Sequence, residues 1–318
     1  MSYWSTMQER VAAYLTARRR LGYALRIEGE QLQRFAQFAD ARGHGGAITT
    51  SLALEWAGAS TRSGPIGRAR RLEVIRPFAK FCAPFEAETQ IPPAHALGSA
   101  HRRVPPHIYN EEEIGQLLAA AGELVPPQGL RPSSMQCLLG LLAATGLRVS
   151  EALHLQRADV DLERGVLCVR QTKFRKSRYV PLHPTTSAAL SAYAQLRDRR
   201  LPLSREPAFF LRDDGRPLGD AQARYAFQCI RTRLGWDRQP GRRPRLYDLR
   251  HTFACHRLLA WYQEGIDLAQ AVPLLSTYLG HAKVTDTYWY LTGIPALMAI
   301  AGERFERLAQ CDDAQVTP

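Results

Sequence analysis

Tyr290 closes the stretch Gly280-His281-Ala-Lys-Val-Thr-Asp-Thr-Tyr-Trp-Tyr290, and its hydroxyl is a candidate nucleophile if its surroundings assist it. A tyrosine hydroxyl titrates near about 10, so at neutral pH it attacks poorly unless positive charge surrounds it and its proton has somewhere to go. Three upstream stretches could supply what it needs: Thr145-Gly-Leu-Arg148-Val-Ser-Glu151, the basic run around Lys173, and Tyr247-Asp-Leu-Arg250-His-Thr-Phe. Together with His281, nine positions before Tyr290, they share one explanation, phosphoryl transfer. A phosphodiester under attack spreads extra negative charge over its non-bridging oxygens, and two arginines can each hold those oxygens through forked hydrogen bonds. Glu151 behind Arg148 would fix the orientation of that side chain.

The composition agrees with a phosphate-rich partner. Net charge is +12 with a pI near 9.7, which points to nucleic acid, or less often to an acidic membrane face. Of 42 basic residues only Lys80, Lys173, Lys176 and Lys283 are lysines. Arginine keeps its proton at working pH, so these four are the basic side chains able to act as general acids. Six scattered cysteines form no Cys-x-x-Cys pair, which argues against a zinc ribbon or disulfide framework and for a reducing cytosol. The N-terminus has no apolar signal core, and the apolar run from Cys137 to Thr145 is too short to cross a bilayer, so a soluble, unprocessed cytoplasmic protein is expected.

The elements that must position these groups fall into two parts. Residues 1–88 read as a small bundle of three or four helices: Val11, Tyr14, Leu15 and Leu21 recur at helical spacing, then Leu32, Phe35, Phe38 and Ala39, then Leu72, Ile75, Phe78, Phe81 and Cys82. Pro77 is expected to kink the last helix or shift its start. Arg62, Arg68, Arg70, Arg71, Arg76 and Lys80 accompany it, either as a solvated face or as a phosphate-contacting surface. Residues 89–108, with Pro92-Pro93, Arg102-Arg103 and Pro105-Pro106, read as an extended, basic linker.

Asn110 before Glu111-Glu112-Glu113 is an N-cap followed by acids in the first turn, so residues 109–318 open a second domain with a helix. Within it, a buried helix ends at Gly146 and a new one follows with Arg148 and Glu151 on one flank. Val166–Val169 and Tyr179-Val180 read as strands of a hairpin whose charged tip holds Lys173. Helical patterns cover roughly 185–198, 219–234, 248–263, 266–279 and 295–309, so the fold is mainly α with one small antiparallel sheet.

Thr145-Gly-Leu-Arg-Val-Ser-Glu-Ala-Leu, the Lys173 hairpin running into Tyr179-Val-Pro-Leu182, Asp248-Leu-Arg-His-Thr-Phe-Ala and Leu279-Gly-His281 up to Tyr290 together resemble the tyrosine recombinase (phage integrase) family. They stand in that family's order and spacing over residues 110 to 310, and the N-terminal bundle resembles its core-binding domain by pattern. The resemblance implies site-specific DNA recombination without metal, ATP or any other cofactor. Tyr290 would attack the scissile phosphate, form a 3′-phosphotyrosyl bond and release a 5′-hydroxyl, which later reseals a strand in a new pairing. Arg148 and Arg250 would stabilise the pentacoordinate state, Lys173 would protonate the leaving oxygen, and His281 would hydrogen-bond the phosphate and help move protons at Tyr290. The family's usual histidine three residues before the second arginine is Tyr247 here, for which a phosphate-binding role without acid–base duty is expected.

Other implied features are a homotetramer on two duplex sites working through a Holliday junction, exchange of the C-terminal helix (Leu297, Ile300, Ala301, Phe305, Leu308) between subunits, a nucleoid location, and service to a mobile element as integrase or transposase. Two readings compete: a type IB topoisomerase-like relaxing enzyme, and a regulator that binds DNA without cutting it. Among single residues, Tyr288 competes with Tyr290 and Lys176 with Lys173, while His251 reads as structural. His251, His256 and Glu264 lack the spacing of metal ligands, and Asp213-Asp214-Gly215 reads as a turn.

Overall fold

A computed structural model describes residues 4–61, 63–100, 105–170, 177–238 and 243–292, without the side chains of 289, 291 and 292. The chain divides into two compact units, Met1–Val104 and Pro105–Pro318. Lys173 and Lys176, Arg62, and the C-terminal segment with Leu297 to Leu308 lie outside the described residues.

The first unit packs α1 (Met7–Arg20), α2 (Arg26–Asp40), α3 (Thr50–Gly58) and α4 (Pro65–Cys82) around one apolar cluster that includes Val11, Leu15, Leu32, Phe35, Trp56, Leu72, Ile75 and Phe78. Leu21 is not part of it: it caps α1 and is 70% exposed. Pro77 does not shift the start of α4, which begins at Pro65 and runs on through Pro77 to Cys82. Half of the basic run along α4 has a structural duty. Arg70 donates to the Ala100 carbonyl, Arg71 stacks on Trp56 and donates to its carbonyl, and Arg76 donates to the Pro92 carbonyl, whereas Arg68 and Lys80 are exposed. The same bonds, with Gln90 N–H donating to Ile48, tie residues 90–100 of the expected linker to the helical unit.

The second unit opens with α5 (Glu111–Gly122), whose capping box is complete: Asn110 Oδ1 accepts from Glu113 N–H, and Glu113 accepts from Asn110 N–H. Next come α6 (Arg131–Thr145) and α7 (Val149–Leu153), and then β1 (Val160–Asp161), β2 (Val166–Val169) and β3 (Arg178–Pro181). The sheet is antiparallel in the order β1-β2-β3, with Val169 opposite Arg178, and β1 is a strand the sequence pattern did not suggest. The expected helices follow as α8 (Pro184–Arg200), α9 (Asp220–Arg233), α10 (Asp248–Gln263) and α11 (Leu268–Leu279). A further helix, α12 (Thr285–Thr292), carries Tyr290 and was not expected. Its Tyr290 joins Ala254, Cys255 and Leu258 of α10 and Val272, Leu275 and Leu279 of α11 in a small apolar cluster. Among the described residues no helix is long and apolar enough to cross a membrane.

Candidate active site

The site is built on two helix ends that finish alike. Helix α6 ends at Gly146 (φ 62°) and α11 at Gly280 (φ 67°), both in the left-handed conformation that glycine adopts without strain. Such an end leaves backbone carbonyls without helical partners and gathers partial negative charge there. Guanidinium groups fill that vacancy. Arg250 donates Nη1 to the Gly146 carbonyl and Nη2 to that of Leu279, each at 2.8 Å, and Arg148 donates Nη2 to that of Gly280 at 2.9 Å.

Each arginine is held from its own side as well. Arg148 precedes α7, and Glu151 in the first turn accepts from its backbone N–H at 3.1 Å and from its Nη1 at 2.6 Å. Glu151 is almost buried, which opposes ionisation, but bonds from Arg178 and Arg148 more than offset this and hold its pKa at about 2. Arg250 sits in the first turn of α10 at 2% exposure. The start of that helix is fixed by buried Asp248, whose carboxylate accepts from the backbone and side chain of Arg245. The Nε of Arg250 is buried and has no hydrogen-bond partner among the described residues.

Tyr290 is 3% exposed, its ring lies near those of His251 and His281 of the same chain, and it stands close enough to Arg250 to feel that charge. Burial pushes its pKa up to about 12, with Arg250 pulling in the other direction. Tyr288, the competing tyrosine, is 44% exposed. The His281 ring stacks near that of Tyr290, centroids 6.2 Å apart, and its Nδ1 lies 2.6 Å from Thr287 Oγ1. Burial, then the charges of Arg250 and Arg148, lower its pKa to about 4, so at neutral pH the imidazole is uncharged.

His251 lies between two tyrosines, its ring 5.0 Å from Tyr247 and 5.4 Å from Tyr290. Tyr247 itself is 43% exposed at the start of α10, so its hydroxyl can meet a ligand that approaches from solvent. Two surface depressions of about 460 and 730 Å³ flank Arg148; Arg224, Arg231 and Arg245 line one and Arg170 the other. Among the described residues no three His, Cys, Asp or Glu side chains are grouped to hold a metal ion.

The structure therefore brings Arg148, Glu151, Tyr247, Arg250, His281 and Tyr290 together from three helices and a turn. Arg178 belongs with them and the sequence reading missed it. It opens a short strand in a run of basic residues, and nothing in its spacing sets it apart.

Comparison with known proteins follows the same lines. A family model described as the phage integrase family matches residues 108–293. Over 310 residues the chain is 40% identical to y4rB of Sinorhizobium fredii, which carries an integrase/recombinase name, covering 95% of this chain and 98% of that one. It is 32% identical over 225 residues to the tyrosine recombinase XerC of Chlamydia trachomatis, covering 70% of this chain and 65% of that one. The fold matches that of the Tn1549 transposon integrase solved with transposon right end DNA, at a TM-score of 0.67 and 17% identity, over 96% of this chain and 99% of that one.

Proposed function

The chain belongs to the phage integrase family, the tyrosine recombinases that cut and rejoin DNA strands, and from that premise we propose the roles of its residues. Tyr290 attacks a phosphodiester: its oxygen bonds to phosphorus as the bond to the 5′ oxygen breaks, leaving a 3′-phosphotyrosyl link. Arg148 and Arg250 hold the non-bridging oxygens as charge builds on them. Lys173 gives its proton to the departing 5′ oxygen. His281, neutral before DNA arrives, has a ring nitrogen free to take part in proton movement at Tyr290. The reverse attack by a 5′-hydroxyl restores the tyrosine and reseals the strand, so the energy of the bond is conserved and no external source is needed.

One observation carries this reading. Two arginines more than a hundred residues apart in sequence meet at consecutive carbonyls of one helix end, beside a buried tyrosine that feels the charge of one of them. The buried Nε of Arg250 supports it, since a donor without an acceptor among the described residues suits a phosphate oxygen supplied from outside. The partner is duplex DNA, in keeping with the net charge of +12. The assembly is a tetramer on two sites with C-terminal segments passed between subunits, and the cellular duty is integration or transposition of a mobile element in the cytoplasm.

The test is a set of duplexes tiled across the DNA flanking the coding sequence, incubated with protein and resolved under denaturing conditions. A covalent adduct that Tyr290→Phe abolishes supports the reading, and recombinant junctions among the products distinguish it from relaxation alone. No adduct on any duplex counts against it.

A further inference from the structure

Three consecutive carbonyls at the end of α11 each take one arginine. Tyr278 accepts from Arg178 Nε at 2.8 Å, Leu279 from Arg250 Nη2 at 2.8 Å, and Gly280 from Arg148 Nη2 at 2.9 Å. Two of these arginines are assigned above to the phosphate. The third is more deeply set than Arg148: its side chain is 13% exposed against 25% for Arg148.

Arg178 turns both of its Nη groups to Glu151. Nη1 reaches Oε1 at 3.2 Å and Nη2 reaches Oε2 at 2.8 Å, a two-pronged grip on the carboxylate that also holds the backbone and Nη1 of Arg148. Glu151 thus lies between two guanidinium groups and removes one positive charge from the pair. The close approach of Arg178 to the turn depends on Gly280, where a Cβ would lie 2.8 Å from Arg178 Nη1. One side chain therefore joins β3, the first turn of α7 and the turn that carries His281.

We propose that Arg178 is a positioning residue for strand cleavage: through Glu151 and the end of α11 it fixes Arg148 in the orientation that meets the phosphate. The proposal rests on the reading of Arg148 given above. Lysine cannot reproduce the role, because one ammonium cannot grip both carboxylate oxygens and the Tyr278 carbonyl in the same fixed plane. If Arg178 is removed, Glu151 keeps Arg148 as its one partner and remains buried, so its carboxyl moves upward from about 2 and protonates at milder acidity, and the carboxylate that orients Arg148 is held from one side only.

The experiment measures single-turnover adduct formation on a nicked duplex that the unaltered protein cleaves, for Arg178→Met, Arg178→Lys, Glu151→Gln and the Arg178→Met/Glu151→Gln double variant. Adduct formation by the unaltered protein reports on the function reading; the ratios between variants report on Arg178. Arg178→Met is expected to slow the step roughly 10- to 100-fold, the range for removing an orienting partner, with DNA affinity within about threefold of the parent. Arg178→Lys should recover only part of the loss. In the Glu151→Gln background Arg178→Met should add little, because the two act as one unit. The acid limb of the rate profile should move to higher pH in Arg178→Met, and that shift should be absent in the double variant. Losses that multiply, or a loss that lies wholly in DNA affinity, overturn the proposal. Without any DNA, Arg178→Met should also move the acid limb of thermal unfolding upward and Glu151→Gln should cancel that shift; an unmoved limb overturns it too.

Discussion

Arg250 Nη1 donates to the carbonyl of Gly146 at 2.8 Å, joining two motifs that lie 104 residues apart. The bond depends on the left-handed turn at Gly146, and that turn has no room for a side chain: a Cβ would lie 2.5 Å from Phe253 Cδ1. Gly146→Ala therefore meets backbone strain and a clash together. It should cost about 1–3 kcal/mol for the strained conformation, more with the clash, and melting should fall by about 2–4 °C for each kcal/mol. Gly235→Ala is the control, since Gly235 also has a positive φ (73°) but an open surrounding. Differential scanning calorimetry of both variants checks this; equal losses would remove the steric part of the argument.

Tyr247 and Arg250 stand three residues apart on the same helix start, but only the arginine is buried. Loss of a neutral hydroxyl bond is a smaller matter than loss of a charge on the transferring phosphate. Tyr247→Phe should lower the cleavage rate by less than about tenfold, whereas Arg250→Ala should lower it by about 100-fold or more. Rates on one nicked duplex under single-turnover conditions decide the point, and equal losses would mean that Tyr247 has more than a binding duty.

His281 provides a pH signature that needs no substrate. Its pKa is lowered from 6.5 to about 4 in the folded chain by burial and by the arginines. Between those values the unfolded chain binds a proton that the folded chain does not, so this residue makes stability fall as pH drops from 6.5 toward 4. Glu151, depressed to about 2 from 4.5, contributes stability that is present above 4.5 and lost as pH falls toward 2. His281→Asn should flatten the melting curve in the upper window and leave the lower one alone. A profile that keeps its slope between pH 6.5 and 4 would assign that slope to other groups.

Much of the fold was legible because it is helical and its periodicity is strong. Asn110 with Glu113, the apolar stripes of α2 and α4 and the apolar run of α6 announce their elements through capping, spacing and composition, which are local. β1 escaped notice because two residues carry no periodic signal, and α12 because its threonines and aromatics read equally well as irregular chain. The site followed a similar division. Arg148, Arg250, His281 and Tyr290 stood out by motif, with Tyr290 favoured over Tyr288 by its spacing from His281; that Tyr290 is buried and Tyr288 is 44% exposed is a difference the run itself does not disclose. Arg178 was hidden among basic neighbours, and its importance arises from a carboxylate 27 residues earlier and a carbonyl 100 residues later. The arginines of α4 show the opposite case: they read as a possible phosphate surface, and Arg70, Arg71 and Arg76 turn out to hold backbone carbonyls of their own unit.

The central claim is that the hydroxyl of Tyr290 becomes bonded to a DNA phosphate. Protein trapped on a nicked duplex, digested with protease and nuclease and sequenced by mass spectrometry, should carry its nucleotide remnant on Tyr290, with none on Tyr288. A remnant on Tyr288 or on any serine, or an adduct that survives Tyr290→Phe, would contradict the account.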